Sequence, residues 1–243
     1  MIKLQSVALL TVPLARVDGG SPRSRLLSID ITGHQFEYIA GQAVLMGPRG
    51  ATALRPFSIA CSPERAAEMH TIELLIAMEG GSEDLQWALP GALVDIDGPV
   101  GTFTFPETID QPRLLFVAGG TGIAPVRAML DHALRVHPAK GISLLYSARR
   151  SDEFAFVEEF RAHQRNGRVE LHQTVTRDDS TMWDGQRGRI GRSHFEAVLH
   201  APASTLCFIC GPTSLVRDSA ATLRDLGVPE ALIRTDEWEK PKG

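Results

Sequence analysis

The chain is poor in cysteine: three in 243 residues, too few for a disulfide framework and in keeping with a reducing cytoplasm. Cys207 and Cys210 form a C-x-x-C, but within Thr-Leu-Cys-Phe-Ile-Cys, which reads as a buried strand. Residues three apart on a strand point to opposite faces, so these thiols are not expected to meet. Without a second cysteine pair the spacing argues against zinc. No cysteine run suits a ferredoxin-type iron–sulfur cluster. The eight histidines include no H-E-x-x-H spacing. There is no basic excess: a formal net charge of −4 leaves no electrostatic footprint for nucleic acid. No apolar run is long enough to span a membrane. Val7–Leu10 after Lys3 is short, is interrupted by Thr11 and Pro13, and precedes no small-residue cleavage site, so it reads as a first strand rather than a signal peptide. Internal repeats and low-complexity tracts are absent as well.

What is present is material for a full core. Hydrophobic residues make up 43% and charged residues 22%, the balance of a globular protein of one large domain or two modest ones. The two halves differ in texture. Up to about Phe105, short β-like runs (Arg25–Ile31, Ala43–Met46, Pro56–Ala60, Thr71–Ala77, Leu93–Asp97) alternate with glycine and proline turns, which predicts an antiparallel barrel. One short helix, Ser82–Leu89, is expected within the series, with Ser82 as its cap. Pro106–Pro112 reads as a linker between residues 1–106 and 112–243. Beyond it, strands (Arg113–Ala118, Ile142–Ser147, Val169–Val175, Leu206–Cys210, Ile233–Thr235) alternate with helices (Ala124–Val136, Asp152–His163, Ser214–Leu226). That alternation predicts a parallel five-stranded sheet covered on both faces. Val126, Met129, Leu130, Ala133 and His137 recur at helical spacing and should face the sheet.

The most informative stretch is Arg113–Pro125, an apolar strand that stops at Gly119-Gly120-Thr121-Gly122 and passes into an amphipathic helix. A turn without side-chain bulk lets backbone N–H groups approach a pyrophosphate, and the helix N-terminus favours its negative charge. Gly120-x-Gly122 fits the first half of the G-x-G-x-x-G fingerprint, but Pro125 stands at the third position. Proline suits a first helical turn, so strand–turn–helix survives while the standard dinucleotide fold does not follow. The Cys210-Gly211-Pro212 turn is expected at the same end of the sheet, where ligands of such sheets bind.

These residues match a known pattern. Arg55-Pro56-Phe57-Ser58 resembles the Arg-x-aromatic-Ser flavin motif of the ferredoxin–NADP reductase superfamily. Gly98-Pro99-Val100-Gly101-Thr102-Phe103 resembles its G-P-x-G-x-F turn, and Val117–Pro125 its nucleotide loop. Tyr146-Ser147-Ala148-Arg149 and Cys210-Gly211-Pro212 follow in family order, so the resemblance covers nearly the whole chain. It implies an antiparallel Greek-key flavin-binding barrel followed by a nucleotide-binding α/β domain.

The resemblance also implies roles. Arg55 would offer a planar, permanently charged fork to a flavin phosphate. Phe57 would pack on the isoalloxazine ring, where the family usually has tyrosine, and Ser58 would hydrogen-bond near flavin N5, the hydride acceptor. Gly80-Gly81-Ser82 would form a second phosphate site at a helix start, although Glu83 and Asp84 compete for the same field. Cys210 would lie beside the nicotinamide. Ile233–Trp238 resembles the family's terminal acid-x-aromatic pattern, which brings Asp236 near the flavin and stacks Trp238 on it. The family acid is usually glutamate, and Glu237 is one place off.

The expected flavin is FAD, with FMN as the alternative. NAD sites place an acid near the end of the second strand and NADP sites an arginine. Here that strand ends Ser147-Ala148-Arg149-Arg150, so NADPH is expected over NADH, with Ser147 and Arg149 on the 2′-phosphate. Arg187-Gly188-Arg189 is either a further anion patch or a charged loop. The expected activity is transfer of electrons from NAD(P)H through bound flavin to a small redox protein such as a ferredoxin, a flavodoxin or an oxygenase component. A free-flavin reductase and an electron-transfer subunit of a larger complex are the alternatives.

Overall fold

The computed structural model describes residues 9–78 and 85–238. Its first half is an antiparallel sheet of β1 (Leu10–Ser21), β2 (Ser24–Asp30), β3 (Ala43–Pro48), β4 (Arg55–Ser58), β5 (Thr71–Ala77) and β6 (Leu93–Val100), with the helix α1 (Pro63–Met69) between β4 and β5. The strand order is β4-β3-β6-β1-β2-β5. Ile59 then bridges to Leu74, and the Ala60 N–H donates to the Glu73 carbonyl at 2.7 Å, so the outer strands meet and the row closes into a barrel. Alternation along the strands fills it: Val12 and Leu14, Leu27 and Ile29, Val44 and Met46, Ile72 and Leu74, and Val94 and Ile96 all point inward. The non-sequential pairings β1–β6 and β3–β6 make the connectivity Greek-key.

The second half runs β7 (Arg113–Gly119), α2 (Ile123–Val136), β8 (Gly141–Ala148), α3 (Val157–Arg165), β9 (Glu170–Val175), β10 (Gln186–Arg187), α4 (Arg192–Val198), β11 (Thr205–Pro212), α5 (Thr213–Asp225) and β12 (Ile233–Trp238). All pairs are parallel, in the order β10-β9-β8-β7-β11-β12. The chain leaves β7 toward β8 on one side and later returns to β11 on the other. The carboxyl ends of β7 and β11 therefore flank a topological switch point. β7 is buried on both faces, with Phe116 and Ala118 in one core and Leu115 and Val117 in the other. Phe208 and Cys210 belong to the first core, Cys207 and Ile209 to the second, so the two thiols lie on opposite faces as strand geometry requires.

Several elements depart from the sequence reading. The parallel sheet has six strands rather than five, because Gln186–Arg187 pairs with Thr174–Val175. A two-residue strand carries no periodicity to detect. The helix expected over Asp152–His163 is a 3-10 turn at Ser151–Glu153 and a separate α3. Buried Phe154, edge-on to Tyr146 and stacked on Trp183, draws the chain inward between them, and Phe156 takes a left-handed φ of 58°. Helices α1 and α4, seven residues each, were not anticipated. Of the helix expected over Ser82–Leu89, residues 82–84 lie outside the described residues, Leu85 is in a 3-10 turn, 86–87 form a turn and 88–89 are irregular, so no α-helix is seen in the described part. Val126, Met129, Leu130 and Ala133 are fully buried, whereas His137 caps α2 and packs beside Phe105.

Pro106–Pro112 forms neither helix nor strand. Just ahead of it, Phe103 and Phe105 pack against Phe208 in the core of the second sheet. Helices α1 and α2 face each other through Arg65 and Asp131 (3.1 Å), His132 and Glu64 (2.8 Å), and Arg135 and Glu68 (2.7 Å). Ser62 donates to Asp131 at 2.7 Å in the same contact.

Candidate functional site

The turn after β7 is a 3-10 segment, Gly120–Gly122, that leads directly into α2, and no side chain caps that helix end. The Ile123 N–H turns back to the Gly120 and Thr121 carbonyls, so the backbone of the turn itself holds the start of the helix. The glycines have separate reasons. Gly120 has φ of +56° with open space where a Cβ would be, so backbone conformation requires it. Gly122 lies against the Cys210–Gly211 peptide: an added Cβ would stand 2.7 Å from the Cys210 carbonyl carbon and 2.8 Å from the Gly211 nitrogen. Pro125 is buried in the first turn of α2, where no N–H is needed. Tyr146, fully buried on β8, donates its hydroxyl to the Gly120 carbonyl at 3.3 Å and accepts from the Ala155 N–H at 3.2 Å. Burial pushes its pKa well up, so it stays a neutral phenol.

This turn opens on a cleft of about 320 Å³ between the two sheets. The barrel contributes Arg23, Leu75 and Ala77; the α/β half contributes Gly119, Gly120 and Thr121, Ser147 and Arg149, Arg177 and Arg189, and Pro212. The volume suits a small-molecule ligand. Ser147 is buried at the end of β8, and Arg149 is half-buried just beyond it. The next turn is pinned by Asp178, whose carboxylate is held down to about 2 by hydrogen bonds from Ser151 and then from the Ser180 N–H. Arg150 is drawn toward Asp152 at 3.2 Å. The Arg187–Arg189 patch divides: Arg187 donates to the carbonyls of Asp178, Ser180 and Trp183, so it braces a loop, while Arg189 lines the cleft.

Across the switch point, β11 and β12 pair Cys210 with Asp236, Gly211 with Glu237 and Pro212 with Trp238. The Cys210 thiol lies 3.8 Å from Asp236 Oδ2. Burial first, then the neighbouring carboxylate, raises the thiol well above its ordinary range, so it keeps its proton at neutral pH. Burial also raises the pKa of Asp236, with Glu237 adding to it and the thiol hydrogen bond opposing it.

On the barrel, β4 carries Arg55 and Pro56 exposed and Phe57 and Ser58 half-buried. The Arg55 guanidinium lies 5.8 Å from the centre of the Phe57 ring. These four residues do not line the cleft. Gly80, Gly81 and Ser82 lie outside the described residues. The structure thus gathers Gly119, Gly120, Thr121, Ser147, Arg149 and Pro212 around one cleft, sets Gly122, Cys210, Gly211 and Asp236 beside it, and keeps Arg55–Ser58 on the barrel wall. Sequence reasoning missed Arg23, which reaches from the β1–β2 turn to within 4.0 Å of Glu153, and Arg177. Neither belongs to a motif; only folding brings them to the cleft. Among the described residues no cluster of histidine, cysteine or carboxylate side chains could hold a metal. Among them, too, no helix is long and apolar enough to cross a membrane.

Comparison with known proteins places this geometry. Residues 116–221 match the family described as "Oxidoreductase NAD-binding domain". The chain is 31% identical over 232 residues to ferredoxin–NADP reductase B of Sorangium cellulosum, covering 90% of this chain and 93% of that protein. It is 33% identical over 162 residues to one component polypeptide of the Na(+)-translocating NADH-quinone reductase of Actinobacillus succinogenes, covering 63% of this chain but 38% of that polypeptide. Among solved structures, the ferredoxin reductase in carbazole 1,9a-dioxygenase shares the fold, with a TM-score of 0.84 at 22% identity over 97% of this chain and 71% of that one.

Proposed function

This chain belongs to the ferredoxin–NADP reductase family, and we propose that it takes electrons from NADPH through a bound FAD to a small redox protein. As a member it is a flavoprotein oxidoreductase that binds flavin and a pyridine nucleotide. When bound, the flavin supplies what side chains cannot, acceptance of a hydride pair and its release as single electrons.

One observation carries the reading. The uncapped glycine turn at the start of α2 and the Cys210–Pro212 turn are in backbone contact at the switch point, beside a cleft that the barrel closes. A pyrophosphate suits Gly119–Gly122 and the helix end behind Pro125, because a turn without side-chain bulk allows close approach and the helix field favours the charge. Cys210, Gly211 and Pro212 then border the nicotinamide; a buried neutral thiol excludes water there without offering a nucleophile. Ser147 and Arg149 would receive the 2′-phosphate, supported by the braced turn that follows them. Arg55 would hold a flavin phosphate, Phe57 would cover the ring and Ser58 would donate at its edge. Gly80, Gly81 and Ser82 would take the second phosphate of FAD, Asp236 would approach the ring from β12, and Trp238, whose side chain lies outside what the structure describes, would stack on it. The division of labour we propose is flavin on residues 1–106 and nucleotide on 112–243. The three cysteines are all unpaired and buried, which fits work in the cytoplasm.

The test is an absorption spectrum of the purified protein, chromatography of the released chromophore, and kcat/KM for NADPH and NADH with ferricyanide. Yellow protein releasing FAD and preferring NADPH is the expected result. Colourless protein that reduces added riboflavin would instead make it a free-flavin reductase. A higher kcat/KM for NADH would reverse the nucleotide assignment, and no NAD(P)H oxidation at all would remove the enzymatic reading.

A further inference from the structure

Arg127 is 3% exposed, yet each nitrogen of its guanidinium donates a hydrogen bond. It sits on α2, the helix that starts from the glycine turn. Nη1 donates to the Ala60 carbonyl at 2.8 Å and to Glu73 at 2.6 Å, both in the barrel. Nε and Nη2 donate to Glu159 on α3 at 3.1 and 2.8 Å. The Phe156 ring lies beneath, its centre 4.2 Å from Cζ.

The barrel partners are specific. Ala60 is two residues beyond Ser58, and its own N–H is spent on the Glu73 carbonyl, so both its peptide groups are fixed. Glu73 belongs to β5, the strand against which the Gly120–Gly122 turn rests. One planar cation thus ties β5 and the segment just after β4 to the helix that carries the nucleotide turn. A fork with several fixed donors sets orientation as well as distance, which a lysine cannot reproduce. The ties between α1 and α2, centred on Asp131, are of similar burial but meet the first half at α1 and its cap Ser62 rather than at the Ala60 peptide and β5.

We propose that Arg127 is a positioning residue for electron transfer: it fixes the distance between the Ser58–Ala60 segment and the Gly119–Gly122 turn, and so between flavin and nicotinamide. This rests on the function proposed above. Hydride transfer is steep in distance, and a misplacement of about 1 Å can cost about a hundredfold in rate. The proposed phosphate contacts, Gly119–Thr121, Ser147 and Arg149, all lie in the α/β half, so nucleotide affinity is less sensitive than rate to the relative placement of the two halves.

Three variants of the holoenzyme separate positioning from general stabilisation. Arg127→Lys keeps the charge and loses the fork. Glu73→Gln weakens the tie to β5. Asp131→Asn weakens a buried tie elsewhere in the same interface. Bleaching of the flavin by NADPH in a stopped-flow instrument is expected to slow by about tenfold or more in the first two and to stay within about twofold in the third. The NADP+ dissociation constant should stay within about twofold in all three. Equal slowing in all three, or none in Arg127→Lys, overturns the proposal. A second measurement needs no ligand: amide hydrogen exchange at residues 58–61 is expected to accelerate in Arg127→Lys and not in Asp131→Asn. Unchanged exchange there also overturns it. A wild type that is never bleached would refute the proposed function, while the exchange comparison would still judge the clamp.

Discussion

The Gly122 α-carbon lies directly against the Cys210–Gly211 peptide, so the turn after β7 and the turn after β11 form one surface. A Cβ there would meet backbone atoms, which cannot swing aside as a side chain can.

Gly122→Ala is therefore expected to force the turns apart, costing about 1–3 kcal/mol of stability and most of the nucleotide affinity. Thermal unfolding and NADP+ titration measure both. Gly120→Ala faces open space and is expected to cost only the left-handed conformation, about 1–2 kcal/mol. If Gly122→Ala bound NADP+ like the wild type, the single-surface description would be wrong.

Tyr146→Phe removes the hydroxyl shared by the Gly120 carbonyl and the Ala155 N–H. Ala155 is 2% exposed, so its N–H loses a partner with little water to replace it. The expected cost is about 1–3 kcal/mol. KM for the nucleotide should rise several-fold while kcat holds, because the turn loosens without moving the reacting groups. A fall in kcat at constant KM would count against this.

Arg149 and Arg187 make opposite predictions. Arg149→Ala should lower kcat/KM for NADPH by about tenfold or more relative to NADH, the loss of one charged hydrogen bond to phosphate. Arg187→Ala removes donors from three carbonyls and should lower the melting temperature while leaving the NADPH/NADH ratio unchanged. Equal losses with both nucleotides in Arg149→Ala would remove it from the 2′-phosphate site.

Asp131 and Asp236 should respond to pH with opposite signs. Burial pushes Asp131 up, but hydrogen bonds from Arg65 and Ser62 and the charges of Arg65 and Arg135 outweigh it, leaving its pKa lowered. Its contribution is then present above the ordinary aspartate value of about 3.9 and is lost as pH falls through the folded value. Asp236 is raised, so its contribution is present in acid and lost as pH rises through the folded value. At pH 7 Asp131→Asn should melt below the wild type and Asp236→Asn above it, with both differences shrinking in acid. Melting curves between pH 3 and 8 read this directly, and a destabilised Asp236→Asn at neutral pH would contradict the sign.

β2 to β6 of the barrel, the alternation of strands and helices after Pro112, and the glycine turn were legible from the chain alone, whereas of β1 (Leu10–Ser21) only Leu10 falls in the expected first strand Val7–Leu10, whose residues 7 and 8 lie outside the described residues. Each is written in local periodicity or in a short run of small residues, and burial of one face enforces it wherever the segment ends up. The opposite facing of Cys207 and Cys210 followed for the same reason, since strand geometry is a property of adjacent residues. The two-residue β10 and the break in Asp152–His163 were not legible, because Phe154 leaves the helical pattern only when Tyr146 and Trp183 are there to receive it. Nor could the chain show that Arg187 spends its donors on carbonyls, that Arg23 reaches Glu153, or that Arg127 meets Ala60 across 67 positions. The last two join residues far apart in sequence, and the first lies in an irregular loop without periodicity; in each, a polar side chain's neighbours are decided only when the chain around it packs. The sequence alone determined what the strands and turns are and which chemistry they resemble; tertiary packing decided which charges face the cleft and which are spent holding it open.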